Sequence, residues 1–438
     1  MSAFLGDVDA EKQPPMTIPL RHFVVGVGLA VLGGGVALVP GTSTLAHVHL
    51  LLAGWVCVTI MGAMTQFVPV WSGTALHSRR LAAAQLVLVT LGLVGLAAAF
   101  QTGALQWTIP FGLLAALGFW TFVYNVARTL PRDGLDVTER HFALALGFFV
   151  VVPLLGLGLA ADFTTPLLSR WGLGRPAVRA AHVTLAVFGA VLTTVLGALY
   201  QLGAMFTQSE EGRVDDALRR VELVAYPVGV VALAGGRLVG HAGVASAGAV
   251  ALLVGLAAFL AFLARRLVGA RVDPSPVLRR YAVATVALAL WTLLTLPAWL
   301  TSPLAPATLF GATGATHLLL FGGVGFVVLG TLYHVVPFVV WVHRYSDQLG
   351  FEKVPLVDDL YDDRLARVDF VACVVGVGGL VGGDLFGLPT TAVGGGVAVV
   401  GFVVFGANVL SVLRNHSPHS LPDIVLGAVL RRLVGGSR

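Results

Sequence analysis

Twelve apolar runs follow one another along the chain, separated by short polar breaks, at roughly 20–40, 45–70, 81–100, 106–130, 141–161, 177–206, 220–240, 243–268, 279–300, 308–342, 366–387 and 390–413. A helix needs about 20 predominantly apolar residues to cross a bilayer, and in lipid every backbone polar group must be satisfied within the protein. The runs therefore predict an all-α integral membrane fold of twelve transmembrane helices with the lipid bilayer as its solvent. One membrane domain, 20–414, lies between an N-terminal tail, 1–19, and a C-terminal tail, 415–438. Runs six and ten exceed one membrane thickness, which tilt or extension past the bilayer accommodates.

Composition agrees. Only 11% of the 438 residues are charged and 57% are hydrophobic, against about 25% charged in soluble domains. The 54 glycines suit helices whose backbones approach closely in lipid. Cys57 and Cys373 both lie in apolar runs, which excludes a disulfide framework and a paired-cysteine metal site. The first sixteen residues lack a basic stretch, so no cleaved signal peptide is expected.

The basic residues set an orientation. With the N-terminus inside, only Arg170, Arg175, Arg179 and Arg237 fall outside, a bias that predicts cytoplasmic termini. The net charge of +5 is thus loop charge, not a nucleic-acid patch. Lys12 and Lys353 are the only lysines beside many arginines, the mark of a high-GC genome. The expected location is the cytoplasmic membrane of a prokaryote.

Runs two, six and ten share a pattern. Aligned on glycines eight apart, Gly54/Gly62 match Gly189/Gly197 and Gly322/Gly330. In that register His49 matches His317, and His47 matches His182. At the other end Gln66, Gln201 and His334 match, preceded by Thr65, Tyr200 and Tyr333, and Pro69 matches Pro337. An element recurring every fourth helix predicts three repeats, about 20–130, 141–268 and 279–413, arranged as pseudo-threefold-related four-helix arcs.

These residues resemble the heme-copper oxidase superfamily, subunit I type, whose twelve-helix core is built from three four-helix arcs with histidines on helices two, six, seven and ten. The stretch HVHLLLAGWVCVTIMGAMTQFVPVWSG, His47 to Gly73, is similar to the NnrS branch in its HxH, spaced glycines and P-x-W-[ST]-G ending. The architectural likeness covers most of the chain, while the motifs cover helices two, six and ten. The resemblance implies a heme b iron held by His49 and His317. Ala315 stands where oxygen-reducing members place the high-spin heme histidine, Val183 follows His182 in place of proline, and run seven holds no histidine. The copper ligand set is thus incomplete, which argues against terminal oxidase activity.

Read from the residues, His49 and His317 share a depth, as two axial ligands of one iron must. His47 is about 200° around the helix from His49, so the two cannot face one iron. His47 pairs with His182 around copper or a second heme, or each hydrogen-bonds a neighbour; both readings stay open. His334 is about 25 Å along the helix from His317; with Tyr333 it serves a proton or quinol site, or it anchors the helix end, the reading preferred here. Arg175 and Arg179 are candidates for heme propionates. Cys57, Tyr200, Gln66 and Gln201 read as helix-packing polar residues. His77, His141, His416 and His419 read as solvent-exposed loop residues, and the mid-membrane as nearly free of charge.

The expected function is a heme-binding membrane protein, transferring electrons or binding nitric oxide or another small gas. The electron donor would be a membrane quinol, a cytochrome or a cupredoxin, and oxidoreductase activity and subunit partners stay open. The alternatives are a divergent terminal oxidase or nitric oxide reductase, and a twelve-helix secondary transporter.

Overall fold

The computed structural model describes residues 14–132 and 134–425; residues 1–13 and 426–438, most of both tails, lie outside the described residues. Twelve helices are long and apolar enough to cross a membrane. They are α1 (Thr17–Ala37), α2 (Thr44–Ser72), α3 (Arg79–Thr102), α4 (Leu105–Ala127), α5 (Val137–Ala161), α6 (Arg175–Thr207), α7 (Arg213–Val239), α8 (Ala242–Val268), α9 (Pro276–Thr301), α10 (Leu318–Arg344), α11 (Asp363–Phe386) and α12 (Thr391–His416). The all-α, twelve-span reading holds.

Several helices begin before their apolar runs. The α5 helix starts at Val137 because Asp136 and Glu139 form a reciprocal capping box, each side chain bonding the other's backbone N–H. Ser275 caps α9 singly, accepting from Leu278 N–H at 3.3 Å. Run ten is shorter than hydropathy implies: residues 306–308 form a separate 3₁₀ turn, and the long helix starts at Leu318.

Neighbours in sequence are neighbours in space. The tightest hairpins are α3/α4, α7/α8 and α11/α12, and α4 packs on α5, α8 on α9 and α12 back on α1. A Cβ on Gly229 of α7 would lie 2.1 Å from the Leu252 amide nitrogen, and one on Gly255 of α8 would lie 2.5 Å from that of Tyr226. Only glycine permits backbones so close. Arg21 Nε donates to Ile424 O at 2.7 Å, so the two described chain ends share one face, the terminal face.

Helices α2, α6 and α10 are the inner ones. Of their apolar windows 67%, 78% and 83% is buried, against 61% or less elsewhere. Outward-facing Val224, Val228 and Val231 of α7 and Leu293 of α9 stay exposed, as expected where lipid is the solvent. Each inner helix contains one eight-residue π-helical segment: His49–Val56, Leu185–Leu192 and Leu318–Gly325. Such segments shift the hydrogen-bond register and are frequent at functional sites. In α6 the Phe188 carbonyl accepts from Tyr226 Oη at 2.6 Å and Thr193 Oγ1 at 3.1 Å.

Candidate functional site

Four histidines lie at the ends of the inner helices away from the terminal face, and each has one nitrogen engaged. His47 Nδ1 is 2.8 Å from Gly33 O on α1, and His49 Nδ1 is 2.8 Å from Leu45 O one turn back. His182 Nδ1 is 3.0 Å from Val152 O on α5, and His317 Nδ1 is 2.5 Å from the Asp384 carboxylate on α11. A carbonyl or carboxylate only accepts, so each Nδ1 is assigned the hydrogen. Each Nε2 then presents a lone pair. None of the four Nε2 atoms has a hydrogen-bond partner among the described residues, and none is sealed from accessible space.

His49 and His182 are densely surrounded by protein yet keep accessible surface. His47 lies within electrostatic reach of His317, and His49 within reach of His182. The repeat register instead matches His49 with His317 and His47 with His182. The cause is geometric: His47 and His49 point to opposite sides of α2, one toward α1 and α10, the other toward α3 and α6. His49 also packs on Phe100 of α3, centroids 5.3 Å apart. Gly156 of α5 leaves room for the His182 ring, since a Cβ there would meet Cε1 at 3.2 Å.

Among the described residues no group of three or more His, Cys, Asp or Glu side chains is placed to hold a metal ion. What the layer offers is paired imidazoles, the donor set of a six-coordinate heme. Ala315, in the loop before His317, is fully buried.

Arg175 Nη1 donates to Leu159 O at 2.9 Å and to Asp162 at 3.0 Å, and its guanidinium lies 4.1 Å over the Phe163 ring. The Leu168 amide and this guanidinium hold the Asp162 carboxyl below its usual range. Arg179 is exposed. Arg237 is buried, donating to Pro303, Thr308 and Leu309 carbonyls and to Thr184 Oγ1.

Toward the terminal face the inner helices meet three buried polar nodes. Gly62, Gly197 and Gly330 face His22 of α1, His141 of α5 and Arg280 of α9, where added Cβ atoms would lie 2.6, 2.5 and 3.1 Å from those residues' Cβ atoms. His22 Nε2 is 3.3 Å from Gln85 Nε2 of α3. His141 Nε2 is 3.0 Å from Glu222 Oε1 of α7, whose Oε2 accepts from Tyr200 Oη at 2.9 Å. Arg280 pairs with Asp369 of α11, which also accepts from Tyr333 Oη, and Asn408 of α12 donates to that hydroxyl at 3.1 Å.

Two expectations change here. His141 is not an exposed loop residue but 4% exposed within α5, because the capped first turn carries the helix past it. Nor are the helices free of buried charge: Glu222, Asp369, Arg280 and Arg266 are all buried within the protein. The acids inside apolar runs, Glu222 alone in its run and Asp369 sharing its run with Asp384, were the available signal. Tyr333 and His334 do not form one site. The Tyr333 hydroxyl turns to Asp369, while His334 sits between Phe206 and Phe338, with centroids 4.7 and 5.5 Å away.

Compared with models of known protein families and with curated proteins, the chain matches none.

Proposed function

We propose that this membrane protein binds heme b within a twelve-helix bundle of three pseudo-threefold-related arcs, and that it carries electrons or captures a small gas such as nitric oxide. One observation supports this most: four histidines on the inner helices each have Nδ1 braced by an acceptor and Nε2 free. This bracing is the usual support of a ligating histidine, since it fixes ring and tautomer and raises ligand basicity. In this reading His317 and His47 hold the heme iron, and His49 with His182 takes a second heme or another metal. When bound, heme supplies one-electron exchange at iron. The chain's own part is to orient the rings through Gly33, Leu45, Val152 and Asp384, and to exclude lipid by packing.

A secondary transporter is the second reading, favoured by the buried ionisable nodes, since intramembrane charges mark ion and substrate paths. Reduced-minus-oxidised spectra of the full chain, purified after heme supplementation, separate the two. The heme reading expects a sharp b-type band that His317→Ala and His47→Ala each abolish. Absence of heme from the well-folded chain overturns it and promotes transport. A band shift with carbon monoxide that His49→Ala removes would mark an open second site.

A further inference from the structure

The three polar nodes occupy matching places in the chain, yet they hold protons differently. His22 Nδ1 lies 2.8 Å from Ile18 O, so it carries the hydrogen and Nε2 accepts from the Gln85 amide. That ring is satisfied while neutral. Arg280 presents only donors, so its contact with the Asp369 carboxylate needs no added proton. His141 is different. Its Nδ1 lies 2.7 Å from Val137 O and must donate there, yet its Nε2 faces a carboxyl oxygen at 3.0 Å. Two lone pairs cannot share that contact, so an additional proton lies in it. The contact is either imidazolium with carboxylate or imidazole with carboxylic acid, and both forms are neutral overall.

We propose that the His141–Glu222–Tyr200 node is a proton-binding site inside the membrane domain, which takes up and releases a single proton. Uptake forms an N–H bond at His141 Nε2 or an O–H bond at Glu222 Oε1. Release returns the proton to water and leaves one negative charge, with no electron moved. An unpaired buried carboxylate is costly, so release calls for a compensating cation. Arg219 of α7 is at hand. Its guanidinium lies 5.8 Å over the Tyr200 ring, it pairs with Glu211 and Asp216, and its buried Nε has no partner among the described residues.

The surroundings are otherwise poor in charge. The α5 helix adds Asp136 and Glu139 at its cap, the latter accepting from Ser72 of α2. The α6 helix presents the Tyr200 hydroxyl, and α7 presents Arg219 and, two turns on, Tyr226, which bonds Phe188 O. The α8 helix presents the rings of Phe259 and Phe262, with Arg266 lying 5.2 Å over Phe262. None of these duplicates the His–Glu contact, and the proposal does not rest on heme.

The test is pH-difference infrared spectroscopy of the full chain in lipid, with labelled histidine and glutamate, between about pH 5 and pH 8, where imidazole titrates. The wild type should show one titrating signal, carboxyl or imidazolium, that shifts with the label. Glu222→Gln rebuilds the node as a copy of His22–Gln85, and the signal should vanish. A wild-type spectrum matched by folded Glu222→Gln overturns the proposal. Should that variant not fold, Tyr200→Phe decides: loss of the donor to Oε2 should change the titrating signal, and a spectrum identical to wild type overturns the proposal.

Discussion

The two ends of the inner helices treat the same side chain in opposite ways. In the layer away from the terminal face His47, His49, His182 and His317 each have one nitrogen bound and the other open. In the layer toward it His22 and His141 have both nitrogens occupied, by an own-helix carbonyl and by a residue two helices along. Residue type alone therefore says little about an intramembrane histidine. The second nitrogen decides: left open it can take iron, paired with an amide it is inert, paired with a carboxyl it holds a proton.

The sharpest way to break this comparison is at the node built on a guanidinium in place of an imidazole. Arg280 and Asp369 are 1% and 0% exposed, and truncating one partner of such a pair costs about 3–5 kcal/mol because the other charge is left stranded. Asp369→Ala should lose that much stability, read as a lowered unfolding temperature in detergent. Equal stability of the variant and wild type would mean that this node is wetter than its burial implies.

A smaller effect is expected in the other layer. Of the four open histidines, only His317 is braced by a carboxylate; the other three use backbone carbonyls. Partners of this kind contribute about 10–100-fold in metal affinity. If the proposed heme reading holds, Asp384→Ala should therefore release heme more readily by a factor in that range, while Asp384→Asn, which keeps an acceptor, loses less. Heme retention during dialysis checks this. Unchanged retention in both variants would mean that His317 does not ligate.

Much of the fold was legible because lipid imposes a length on every span, and a hydropathy count needs no tertiary information. The histidines on α2, α6 and α10 stood out for the same reason, as polar residues in apolar runs. What stayed hidden depends on contacts between helices. No local pattern tells that Gly33 and Val152 carbonyls seat His47 and His182, or that Asp384 of α11 reaches His317. The glycine register also could not reveal which imidazoles face each other, since that depends on how α2 is turned between α6 and α10. His141 was misplaced because charged residues in a capped first turn lower hydropathy while extending the helix.

A partly exposed carboxylate–cation contact completes the series. Asp162 and Arg175 meet at 3.0 Å near the surface, with the Arg175 side chain 35% exposed, where water and salt screen the attraction. Because the folded state holds Asp162 below its ordinary range, ionised Asp162 favours the ordered loop at neutral pH. The advantage fades only as pH falls from the usual carboxylate range, about 3.9, through the lowered value. Amide exchange over residues 159–175 should therefore be flat from neutral pH to mildly acidic conditions, after allowance for intrinsic rates, and should rise only in strong acid. In Asp162→Asn the extra opening should be present at neutral pH and nearly independent of salt. If acid leaves the wild-type loop as protected as before, Arg175 is held by Leu159 O and the Phe163 ring rather than by charge.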